Sequence, residues 1–166
     1  MFEKVKTYAP HAMAAFMSVI FLDSLRYKFT DHPKTQVIFG LLDGWAGSLG
    51  APGLFAHTGL FSQYVIGGAE LVASFLLLSG MLPRLRHFQA LGAALGLAIM
   101  TGAVSFHLFT PLGVDPNHDG GGLFMAACTN LAFAILLLGF FRRRELLDTL
   151  QRLAQALGPR EPLRRM

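Results

Sequence analysis

Long apolar runs divided by short polar stretches set the plan of this chain. Four of them approach the roughly 20 residues that a helix needs to span a bilayer. The second is "VIGGAELVASFLLLSGMLP", the third "ALGAALGLAIMTGAVSF" and the fourth "LFMAACTNLAFAILLLGFF". The first, "AMAAFMSVIFLDSLRYKF", is interrupted by Asp23 and Arg26. Lys4 and Lys6 ahead of an apolar region also open a signal peptide, but no small-x-small cleavage site follows, so this helix is read as retained. The pattern predicts helices over about 9–29, 63–83, 88–110 and 121–141.

Two further segments carry helical spacing. In "TQVIFGLLDGWAGSL", Val37, Ile38, Leu41, Leu42, Trp45 and Leu49 predict a short interfacial helix over the outer mouth of the bundle, with Trp45 suited to the headgroup region. Gly50, Pro52 and Gly53 end it. In "RRRELLDTLQRLAQAL", Leu146, Leu150, Leu153 and Leu157 share one face. This tail reads either as a basic amphipathic helix on an anionic inner leaflet or as a solvated regulatory segment. Gly92 and Gly96 allow close helix approach in the third span.

Composition turns this pattern into a membrane assignment. Apolar residues make up 53% of the 166, charged residues only 14%, and mean hydropathy is +0.49. A soluble domain carries about 25% charged residues. The single cysteine, Cys128, lies in an apolar run and excludes an intramolecular disulfide, a CxxC pair and a thiolate zinc site. The net charge of +4 comes from the tail, where seven arginines face Glu145, Asp148 and Glu161. Nucleic acid is therefore a poor partner. Of the 14 basic residues, 11 fall on one side of four spans, which predicts a multi-pass protein of the bacterial inner membrane with both termini cytoplasmic. The expected architecture is an all-α membrane protein: a four-transmembrane-helix bundle over 1–141 and a cytoplasmic tail over 142–166.

Ionisable groups inside a span cost about 2.5 kcal/mol or more at its centre and are functional candidates by default. Asp23, Arg26, Glu70 and His107 all fall in the outer third of the predicted membrane. Asp23 and Arg26 are spaced to pair on one helix face, and Glu70 and His107 to pair across helices. Either pair serves as a charge-neutral lock between helices or as part of a site. A carboxylate and an imidazole near the membrane surface suit the head of a quinone, with His57 and Trp45 covering the pocket. Asn130 is expected to hydrogen-bond between helices.

The stretch "GVDPNHDGGG" at 113–122 matches the start of a calcium loop, D-x-N-x-D-G. Its twelfth position is Ala126, where a bidentate Glu is required, so it reads as a solvated turn. His57, His107 and His118 have no spacing diagnostic of a ligand set, and no metal is predicted.

The chain resembles the DoxX family of small bacterial membrane proteins over about residues 12–141. "FLDSLRYKFTDHP" resembles that family's first helix ending in a lysine at the outer face, here Lys28. "GGAELVASFLLLSGMLPRL" is similar to its second helix, with Glu70 in the first turns and a Leu-rich run leading to a glycine and a basic loop. The family includes the small subunit of an archaeal thiosulfate:quinone oxidoreductase and membrane partners of other redox systems. The resemblance implies a component of a redox or respiratory system with quinone as cofactor, and carries Lys28 and Glu70 over as pattern matches without assigning catalysis to any residue. Expected partners are the lipid bilayer, a redox protein subunit and further copies of the chain. The alternatives are a non-enzymatic membrane anchor or assembly partner and a small oligomeric transporter.

Overall fold

The computed structural model describes residues 2–157, and these contain helices and turns but no strand. Helix α1 runs Phe2–Lys28, α2 Pro33–Ser48, α3 Gln63–Ser79, α4 Arg86–Phe109, α5 Gly122–Leu136 and α6 Arg143–Leu157. Residues 158–166 of the expected tail lie outside the described residues.

Local chemistry sets the boundaries. At α2, the His32 ring Nδ1 accepts from the Lys34 amide at 3.2 Å and Pro33 fills the first turn, where no N–H is needed. At α3, the Ser62 hydroxyl accepts from the Val65 amide at 3.3 Å. Helix α3 stops short of the expected residue 83. Pro83 holds Leu82 extended, at φ −72° and ψ 134°, and itself begins the 3-10 turn Pro83–Leu85. Helix α5 ends in a π-turn, Leu137–Phe141, closed by the Arg142 amide on the Leu137 carbonyl at 2.7 Å.

Three segments, Lys6–Lys28, Pro83–Phe109 and Gly122–Phe141, are long and apolar enough to cross a membrane. Helix α3 is apolar too, but its 17 residues rise only about 25 Å against a hydrocarbon core of about 30 Å. Phe75, Phe109 and Phe140 turn outward, each more than 60% exposed. Three such helices with aromatic side chains on their outer faces suggest a membrane protein.

The core lies between α1, α3, α4 and α5, around Met17, Phe21, Leu77, Met100 and Leu137. Gly92 brings α4 against α3: a Cβ there would stand 2.8 Å from the Leu77 nitrogen and 2.9 Å from the Ala73 carbonyl oxygen. At Gly96 it would meet the tip of Met17 on α1. Both glycines thus serve packing within the bundle. A second, smaller cluster joins α2 to the far end of α4 through Leu42, Ala46, Phe55 and Leu112, with Trp45 and Phe106 packed against it.

Candidate functional site

The polar centre of the molecule forms where the last turn of α1 meets the second turn of α3. Lys28 and Glu70 sit on the buried faces of their helices, with side chains 14% and 4% exposed. The Lys28 Nζ lies 2.9 Å from both Glu70 carboxylate oxygens and 3.1 Å from the Ser24 hydroxyl. Ser24 Oγ is in turn 2.5 Å from Glu70 Oε2. The ammonium, the carboxylate and the hydroxyl therefore satisfy one another, as buried charges must. Gly67 makes room for this: a Cβ there would stand 3.4 Å from the Lys28 stem.

This cluster forms one wall of a cavity of about 580 Å³. Phe21, Ile99 and Met100 contribute apolar wall from α1 and α4, and α2 lies across it with Thr35, Ile38, Phe39 and Leu42. Phe55 and Phe61 from the loop before α3 complete the cover. His107, 5% exposed, lines the cavity from α4. Its Nδ1 lies 2.5 Å from the Gly113 carbonyl oxygen, so Nδ1 carries the proton and donates, leaving Nε2 as the acceptor in the neutral ring. Its ring also meets Phe124 edge to face.

The pairing expected between Glu70 and His107 does not form. Lys28, on a flexible four-carbon stem, reaches the carboxylate, while the imidazole is held by Gly113. The two residues instead stand on walls of one cavity. Asp23 and Arg26 do pair, at 2.9 Å, but with side chains 66% and 54% exposed for Arg26 and Asp23 respectively. Arg26 also lies over the Tyr27 ring, and Asp23 reaches the cavity wall. Trp45 packs edge-on against Phe106, which lines the cavity, and is not itself in the lining. His57 lies further out, its Nε2 3.2 Å from the Gln36 side-chain oxygen and 3.9 Å from Asp31. Asn130 departs from expectation: it is fully buried, and neither polar atom of its side chain has a hydrogen-bond partner.

A polar network outside the cavity carries no signal in the apolar pattern. Gln63, 1% exposed, donates through Nε2 to the Lys28 carbonyl at 2.7 Å and to Asp31 at 2.5 Å. The Gln36 amide donates to Gln63 Oε1 at 2.8 Å, and the Tyr64 hydroxyl to Asp31 at 2.7 Å. Asp31 itself takes φ 52°, a left-handed conformation that Asp tolerates. The network fixes the chain between α1 and α2 and so sets where Lys28 stands.

The stretch 113–122 forms a turn. Asp115 accepts the Asp119 amide at 2.8 Å, and Asp119 accepts the Gly122 amide at 3.2 Å where α5 starts. The Asp119 amide, with smaller contributions from Gly120, Gly121 and His118, holds the Asp115 carboxyl below its usual range against a small opposing desolvation. Asn117 and Asp119 reach the cavity wall. Among the described residues, no three His, Cys, Asp or Glu side chains gather as a metal site, and His57, His107 and His118 stay apart.

Comparison of the chain with family models, with curated proteins and with solved structures finds no match.

Proposed function

We propose that this chain is a DoxX-like four-helix protein of the bacterial inner membrane that binds a quinone head near the outer face, as a component of a redox or respiratory system. In this reading α3 crosses the membrane with the other three, both termini are cytoplasmic, and α2 lies at the outer interface. The observation that carries the proposal is a largely apolar cavity of about 580 Å³ with Lys28 on one wall and His107 on another. An apolar pocket with a few convergent polar groups suits a ligand with a flat apolar body and polar ends. The Lys28 ammonium is a donor for a carbonyl oxygen, and Glu70 keeps that ammonium in place. The free Nε2 of His107 is an acceptor for the hydroxyl of the reduced form. A bound quinone supplies two-electron, two-proton chemistry; the chain supplies position and hydrogen bonds.

The single tryptophan offers the test, because Trp45 packs on the cavity-lining Phe106. A short-chain quinone titrated into the purified protein should quench its fluorescence saturably. Lys28→Met and His107→Leu should each raise the half-saturating concentration about tenfold, the cost of one good hydrogen bond to a charged or buried group. Quenching that never saturates, or that is the same in both variants, removes the proposal.

One observation favours a second reading, a membrane anchor or assembly partner. Lys28, Ser24 and Glu70 satisfy one another and tie α1 to α3. A structural lock has no ligand to lose, so Lys28→Met would then lower thermal stability without changing the quenching curve.

A further inference from the structure

The end of the bundle opposite the cavity buries a second charge. Arg142 is 6% exposed although it opens a run of three arginines. In a continuous α-helix, position 142 would stand about 140° around the axis from the buried Leu137. The π-turn at Leu137–Phe141 draws the two closer, and so turns Arg142 inward.

Neutral groups receive it. Arg142 Nε donates to the Gln89 side-chain oxygen at 2.6 Å, and Nη1 to the Phe141 carbonyl at 3.2 Å. Gln89 is fully buried and reaches the Pro10 carbonyl at 3.4 Å. Among the described residues no carboxylate lies within salt-bridge distance of Arg142. Glu145 acts on it only from a distance, and Arg86 adds a like charge. Both arginines also bear on the ring of His11, whose Nδ1 is buried without a hydrogen-bond partner. Glu145 and Asp148 line a neighbouring groove with Arg84, Arg86 and Arg152, which leaves this end of the molecule net positive.

A buried guanidinium with neutral partners only, beside a second arginine and an unpartnered imidazole, lacks its anion. A phosphate has the acceptor oxygens to complete it. The surroundings decide what carries that phosphate. Phe140 is 78% exposed beside the site, and Leu150, Leu153 and Leu157 are exposed along α6. Acyl chains would cover these side chains, whereas a free anion would leave them in water. Basic pockets between transmembrane helices are known to take anionic headgroups. We infer that Arg142, with Arg86 and His11, binds the phosphate of an anionic phospholipid in the leaflet at this end of the bundle. The site is independent of the cavity and of its proposed ligand.

The test is native mass spectrometry of the full chain released from nanodiscs of equal phosphatidylglycerol and phosphatidylcholine. The protein should retain phosphatidylglycerol over phosphatidylcholine about tenfold, as two arginines near an anionic surface together provide. Arg142→Gln should lower that preference about fivefold. Arg86→Gln, at an exposed position, should do the same while keeping the fold. Lys28→Met, at the other end, should leave it unchanged. Equal retention of the two lipids, or an undiminished preference in Arg86→Gln, overturns the inference. Displacement of the lipid by millimolar inorganic phosphate shows a free-anion site and overturns it equally.

Discussion

At the scale of single residues, the molecule shows two opposite ways of burying polarity. Lys28 and Glu70 are paired, so removing one leaves the other exposed to a low dielectric with nothing to balance it. Lys28→Met should cost about 3–5 kcal/mol, while Lys28→Met combined with Glu70→Leu should return most of it. Thermal unfolding of the single and double variants in detergent reads this directly; additive losses would mean that the pair is not coupled. Asn130 is the reverse case, buried with no partner for either polar atom. Asn130→Leu should therefore stabilise the protein by about 1–3 kcal/mol, seen as a raised unfolding midpoint in the same detergent. A lowered midpoint would show that the amide has a partner in the membrane. Lys28, Glu70 and His107 could be singled out in the sequence because each is ionisable within or beside an apolar run. Their partners could not: a four-carbon stem reaches several positions, and nothing in the spacing says that Gly113 takes the imidazole.

At the scale of elements, the strongly apolar helices were legible and the pieces that build the cavity were only half so. Helix α2 follows from its spacing, yet its role as the cavity's cover depends on Phe55 and Phe61, which lie in a stretch without periodicity. The Gln36–Gln63–Asp31–Tyr64 network looks in sequence like ordinary polar loop, because only the fold buries Gln63. The reading of 113–122 as a turn holds, with backbone amides taking up both aspartates. Its order has a definite pH dependence. The Asp115 carboxyl is held below its ordinary value of 3.8, chiefly by the Asp119 amide. The turn's contribution is thus complete above that value and is lost as pH falls through the lower, folded one. The amide resonance of Asp119 should titrate with a midpoint below 3.8, and Asp115→Asn should abolish the transition. A midpoint at or above 3.8 would detach the carboxylate from the turn.

At the scale of the whole molecule, the open quantity is how many times the chain crosses the bilayer. Three helices have the length for it, and α3, at 17 residues, needs local thinning or support from its neighbours. The two counts place the tail on opposite sides. In a Cys128→Ala background, Leu49→Cys and Gln151→Cys can be labelled with an impermeant maleimide on intact cells. Four crossings predict labelling of Leu49→Cys alone, with Gln151→Cys reached only after lysis. Labelling of both on intact cells would remove α3 from the spanning set. The π-turn was invisible in the sequence, since "LLGFF" continues the apolar run without a break. It also carries a history, for a turn of this kind is what a single inserted residue leaves in an α-helix. Gly139 stands in open space within it, and deleting that glycine would restore the regular helix. Everything beyond would then rotate by about 100°, and Arg142 would swing off Gln89 with α6 turned behind it. One codon thus sets which way the basic tail faces, and the shortened chain should keep its cavity at one end while losing its lipid preference at the other.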